Sequence, residues 1–156
     1  MLSQKAKYAL KALLALAGSA EDELLQANDI AEMQNIPKKF LDLILLELRR
    51  HKLVDSRRGK KGGYLLGRPA KSITIGEVVR IVDGPLAPIP CASVTAYRPC
   101  ADCDDVRSCA VRRMMRRVRD AASEILDNTT LAEAAGAKTA TKTRATRARR
   151  PARQLA

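Results

Sequence analysis

Apolar residues recur at helical spacing through the first fifty positions. From Ser3 to Ala17, Ala6, Ala9, Leu10, Leu13, Leu14 and Leu16 form a broad apolar face, with Lys5, Lys7 and Lys11 off it. Ser3 suits the N-cap, and Gly18-Ser19 ends the helix. After a short polar loop, a second helix is predicted from Gln26 to Met33; it carries Ile30, Ala31 and Met33 and is broken by Asn35. Pro37 stands where the next helix begins, a place where its missing N–H has no intrahelical acceptor to lose. That helix is predicted from Lys38 to His51, with Leu41, Ile44, Leu45 and Leu48 as its buried stripe. Two short helices joined by a tight turn make a helix-turn-helix pattern, in which the second enters the major groove of a duplex.

The period then falls to two. Leu53-Val54-Asp55-Ser56-Arg57 reads as a strand, Arg58-Gly59-Lys60-Lys61-Gly62-Gly63 as a glycine-rich basic tip, and Tyr64-Leu65-Leu66 as the returning strand. A basic hairpin directly after a recognition helix is a wing. Arg57, Arg58, Lys60 and Lys61 are placed to neutralise phosphates or enter the minor groove, with Tyr64 beside them. At the start of the recognition helix, Lys38, Lys39 and Asp42 are the candidates for base contacts. The plainer reading is a solvated hairpin whose lysines protect an edge, but four cations in five residues exceed that need.

Thr74-Ile75-Gly76-Glu77 has the spacing of a capping box and opens a helix through about Ile81, which Asp83-Gly84-Pro85 ends. Pro85, Pro88 and Pro90 stiffen a connector into the segment that holds all four cysteines, Cys91, Cys100, Cys103 and Cys109. Beyond it, Val111, Met115, Val118, Ala122 and Ile125 follow a heptad-like seam, flanked by Arg112, Arg113, Arg116, Arg117 and Arg119. This predicts a dimerisation helix whose arginines point outward or meet acids such as Asp120 and Glu124. The final stretch holds Lys138, Lys142, Arg144, Arg147, Arg149, Arg150 and Arg153 without an acidic residue or an apolar stripe, the composition of a disordered tail that adds non-specific DNA affinity or merely solubility.

The expected fold is thus mainly α with a small β-wing. A winged helix-turn-helix domain spans residues 1–84, a cysteine-bearing connector 85–109, a dimerisation helix and its end 110–134, and a basic disordered tail 135–156. Composition agrees: 46% of the residues are hydrophobic but only 3% aromatic, so the core is aliphatic, and the net charge of +12 calls for a polyanionic partner. Double-stranded DNA comes first, and no apolar run approaches the ~18 residues that span a bilayer. Lys11 interrupts the apolar part of the N-terminal segment, which argues against a signal peptide and for a cytoplasmic chain with reduced thiols. No glycine-rich nucleotide loop, histidine–carboxylate pair or nucleophile constellation suggests an enzyme.

Residues 1–134 resemble the Rrf2 family of bacterial winged-helix regulators, whose members include the iron–sulfur cluster regulator, the nitric-oxide-sensing repressor and the rhizobial iron regulator. The resemblance is carried by Lys7-Tyr8-Ala9, Asp29-Ile30-Ala31-Glu32, Leu48-Arg49-Arg50 before Leu53-Val54, the wing from Ser56 to Leu66, Ile75-Gly76-Glu77-Val78 and Thr129-Thr130-Leu131. It implies a homodimeric DNA-binding transcription factor, usually a repressor, often with an iron–sulfur cluster on three cysteines. By position Cys91 and Cys109 resemble the first and last of these, Cys103 matches the second, and Cys100 is additional. Two departures stand out. Some members carry a histidine ligand three residues after the last cysteine, where this chain has Arg112; others use a carboxylate in the first helix, where it has Lys7. A fourth ligand is then Cys100, an exogenous molecule or nothing, since His51 closes the recognition helix and is poorly placed.

Clustered thiolates suit an iron–sulfur cluster, of 2Fe–2S or 4Fe–4S type, or a closed tetrahedral zinc site. A metal-free switch with a Cys100–Cys103 disulfide is a third reading. The expected function is a homodimeric regulator on a dyad-symmetric operator, its affinity set at these cysteines. The competing expectation is a winged-helix protein with structural zinc, or a nucleoid-type binder dominated by its tail.

Overall fold

A computed structural model of the chain describes residues 2–20, 23–59, 61–103 and 105–136. Helix α1 spans Gln4–Ala17 and begins as its sequence asks: Ser3 Oγ accepts a hydrogen bond from the Ala6 amide at 3.0 Å. Ser3 also donates through its amide to Asp83 at 2.8 Å and through its hydroxyl to the same carboxylate, tying the start of α1 to a helix eighty residues away. Helix α2, Ala27–Gln34, ends on Asn35, which takes the left-handed conformation at φ 50° that asparagine tolerates better than most residues. Pro37 is the N-cap of α3, Lys38–Arg50, which starts where the sequence places it and ends one residue before His51.

These three helices enclose the core. Leu13, Ile30, Leu41, Ile44, Leu45 and Leu48 are essentially inaccessible, joined by Leu53, Val54, Ile73 and Val78 from the elements that follow. The wing consists of β1, Val54–Arg57, and β2, Gly63–Leu66, antiparallel with Val54 opposite Leu66 and Arg57 opposite Gly63. The sequence pattern did not reveal a third contributor: Leu25 exchanges both backbone hydrogen bonds with Tyr64, at 3.0 and 2.8 Å, and so holds the wing against the segment before α2.

Helix α4, Ile75–Asp83, runs two residues further than predicted. Thr74 caps it by accepting from the Glu77 amide at 3.1 Å, but the reciprocal half of the capping box is missing because the Glu77 carboxylate turns to Arg68 at 2.6 Å. The connector crosses a 3-10 turn, Pro90–Ala92, and reaches α5, Ala110–Asp127, capped by Cys109. No side chain of α5 is buried. The chain then comes back to the body: Ile75 donates to the Thr129 carbonyl and Leu131 to the Ile73 carbonyl, both at 2.9 Å, and Leu131 is fully enclosed in the core. No helix among the described residues is long and apolar enough to cross a membrane. The expected tail lies beyond Gly136 and outside the described residues.

Candidate nucleic-acid interface and cysteine site

One surface gathers the start of α2, the start of α3 and the wing around an open groove of about 280 Å³, lined by Gln26, Ala27, Asn28, Lys38, Gly59, Gly62, Gly63 and Tyr64. Gln26 is the N-cap of α2 and makes no side-chain hydrogen bond to the first amides of that helix. Lys38, Lys39 and Asp42 are exposed on α3, as expected of base-reading candidates. Lys38 and Asp42 are paired with one another, the ammonium donating to both carboxylate oxygens at 3.0 and 2.9 Å, which leaves Lys39 as the unpaired cation of that turn. Arg49 donates to Ser56 Oγ at 3.0 Å and fixes the end of α3 to β1.

Arg57, Arg58 and Lys61 are exposed along the wing, and Lys60 lies outside the described residues. Gly62 donates to the Gly59 carbonyl at 2.9 Å, and a Cβ at Gly62 would collide with the carbonyl of Arg57, so the tip closes only around glycine. Tyr64 is half-buried, packs against the core and pairs with Leu25, so its structural work exceeds what the sequence suggests. Gln26 and Asn28 were missed in the sequence because their position depends on the Leu25–Tyr64 pairing.

The cysteines occupy the connector and the cap of α5. Cys91 is buried, 4% exposed, in a turn whose neighbours Ala92 and Ser93 are also buried; Cys103 and Cys109 are half-buried and Cys100 is exposed. The nearby Cys91 side chain first, then desolvation and the neighbouring Asp102 and Cys103, push the Cys100 thiol up from its ordinary value. Partial burial, followed by the nearness of Cys109, pushes the Cys103 thiol up as well. Cys100 thus neighbours both Cys91 and Cys103, and Cys103 neighbours both Cys109 and Cys91, so the four sulfurs share one part of the connector. All-sulfur donors fit a soft metal or a cluster in type. Among the described residues no three histidine, cysteine or carboxylate side chains are gathered at metal-holding geometry, so binding requires the sulfurs to draw together and shed their protons.

Helix α5 departs from the predicted seam. Val111, Val118 and Ile125 are exposed at 56, 48 and 66%, and Met114 joins them at 55%, whereas Met115 and Ala122 are half-buried on the side facing the body. Two of the flanking arginines turn toward the body, and one of them, Arg119, meets Asp120, one of the acids expected to receive these arginines. Arg112 donates from Nε to the Cys91 carbonyl at 2.8 Å, and Arg119 donates to the Ala92 carbonyl while also pairing with Asp120. Near its end, Asp127 accepts two hydrogen bonds from Arg80 of α4, at 2.5 and 2.7 Å.

Comparison with known proteins converges on one group. The chain matches the family model Rrf2, described as an iron-dependent transcriptional regulator, over residues 2–136. An Rrf2-like HTH-type transcriptional regulator of Rhodobacter capsulatus is 45% identical over 134 residues, covering 84% of this chain and 89% of that one. The HTH-type transcriptional regulator IscR of Escherichia coli is 34% identical over 132 residues, 85% of this chain and 78% of its own. The crystal structure of CymR, the global cysteine regulator of Bacillus subtilis, superposes with a TM-score of 0.72 at 32% identity, covering 87% of this chain and 96% of CymR.

Proposed function

The chain belongs to the Rrf2 family of transcriptional regulators, and from that premise we propose a homodimeric repressor whose hold on a dyad-symmetric operator is set at Cys91, Cys100, Cys103 and Cys109. The family and its relatives are regulators, not enzymes. The observation that carries the proposal is the attachment of the cysteine turn to α5, the helix with an unpartnered apolar stripe. In this reading the Val111, Met114, Val118 and Ile125 stripe pairs with that of a second copy, and α3 with the wing reads one half-site. Lys39, Arg57, Arg58 and Lys61 take phosphates or base edges, and the first amides of α2 take a phosphate.

Cys91, Cys103 and Cys109, with Cys100 as the fourth sulfur, would hold an iron–sulfur cluster or, alternatively, zinc. A cluster, when bound, supplies an inorganic centre sensitive to oxidant, nitric oxide and iron supply. The residues themselves supply four thiolates and a short turn that must shift to bring them together. Moving DNA occupancy from mostly bound to mostly free asks for a difference of only about 3 to 5 kcal/mol between the two states.

A second reading has its own support in the nearness of the four thiols to one another and in the likeness to a cysteine regulator. Here two thiols become one disulfide, giving two protons and two electrons to an oxidant such as hydrogen peroxide. Anaerobic purification separates the readings. A visible charge-transfer band with matching iron and sulfide is expected for the cluster, one zinc per colourless chain for the zinc site, and a metal-free chain with oxidant-dependent binding for the thiol switch. Selection of a duplex from a random pool by the full chain tests the regulator itself: an enriched dyad is expected, and a pool with no enriched sequence would leave only the nucleoid-type binder.

A further inference from the structure

The turn that holds Cys91 is fastened to α5 by arginine side chains that reach its carbonyls. α5 buries no residue of its own, and its C-terminal end is secured by the Arg80–Asp127 pair and the return of the chain at Leu131. Its first half meets the body through arginines. Arg112 makes three connections at once. Its Nε donates to the Cys91 carbonyl at 2.8 Å, its guanidinium lies 5.9 Å from the centroid of the Tyr97 ring, and its amide faces Cys109 Sγ at 3.5 Å in the N-cap. One residue therefore touches the backbone of the first cysteine, the aromatic residue midway along the strap, and the last cysteine. Arg119, two turns later on the same face, repeats only the carbonyl contact, at Ala92.

We infer that Arg112 is a clamp that makes the Cys91 turn, the Tyr97 segment and the first turns of α5 move as one unit. A charge-assisted hydrogen bond to a partly buried carbonyl is stronger than a neutral one, and the ring adds cation–π attraction. Closing the clamp keeps Cys91 covered. Pulling the Cys91 sulfur toward its partners, by metal or by oxidation, draws on the same peptide and so on α5. The geometry stands by itself; its meaning for DNA binding rests on the function proposed above.

The test uses the full reduced chain and iodoacetamide, with the alkylation rate of each cysteine read by mass spectrometry and amide exchange read along α5. In R112Q, Cys91 is expected to react about tenfold faster than in the parent, as a locally opened site would. Cys100, already exposed, should stay within about twofold, exchange across residues 111–119 should rise, and exchange in α1 and α3 should not change. R112K keeps a donor and a positive charge, so it should recover part of the Cys91 protection, whereas a merely space-filling role would be restored by R112M instead. An unchanged Cys91 rate in R112Q overturns the clamp, and so does a rise shared equally by Cys100 and the α1–α3 core. Operator affinity of the parent before and after alkylation is measured separately. If affinity does not move while the rates behave as stated, the cysteine-controlled function falls and the clamp stands.

Discussion

At the scale of single residues, the wing tip depends on a missing side chain. Gly62→Ala places a methyl group against the Arg57 carbonyl, so the tip must open. The expected outcome is a loss of about 1 kcal/mol or more in urea denaturation, with weaker DNA binding measured by fluorescence anisotropy. Arg57 is exposed on β1 and has no packing role, so Arg57→Ala should leave stability unchanged. If it contacts one phosphate, the slope of log affinity against log salt should become shallower by about 0.9. An unchanged slope would remove Arg57 from the interface. Lys38 is the opposite case, since its ammonium is engaged by Asp42 and must break that pair before it serves DNA.

At the scale of elements, α4 and α5 are joined by an exposed ion pair whose behaviour in acid has a definite sign. Arg80 holds the Asp127 carboxyl below its ordinary range, through its hydrogen bonds first and its charge second. Gly76 leaves the space in which that carboxylate lies. The unfolded carboxyl titrates near about 3.9, so the pair's contribution is complete above that pH and disappears as pH falls through the depressed folded value. Both partners are more than a third exposed, so Asp127→Asn should cost only about 0.2 to 1 kcal/mol at pH 7, and the two proteins should converge in acid. Urea titrations at descending pH measure this. These contacts also mark the limit of what the sequence discloses. Ser3, Pro37, Thr74 and the stripe of α3 announce their helices because caps and periodicity are local. The Leu25–Tyr64 bridge, the Glu77 carboxylate turned to Arg68 and the inward arginines are not local, since each depends on a partner that folding brings near. The seam of α5 was legible as amphipathic, but a heptad pattern alone does not say which flank meets the body, and Met114 took the exposed place assigned to Met115.

At the scale of the whole molecule, the exposed stripe of α5 is the surface on which the proposed assembly turns. Val118→Glu sets a carboxylate at its centre without touching the body, so the fold should survive and a homodimer should become a monomer in analytical ultracentrifugation. A dimer that persists would move the interface elsewhere. The proposed DNA surface and the cysteine strap occupy different parts of one continuous structure, and α5 is attached to it at both ends.

The return of the chain at Leu131 packs the segment after α5 into the core of the winged-helix body. Leu131→Ala empties a site inside that core and should cost about 2 to 5 kcal/mol, visible as a lowered melting temperature of the entire protein. A protease cut after Asp127 would have the same effect. On the proposed assembly, this regulator cannot shed α5 and leave behind an intact winged-helix body to compete for the promoter, because Leu131, which lies beyond α5, completes the core of that body.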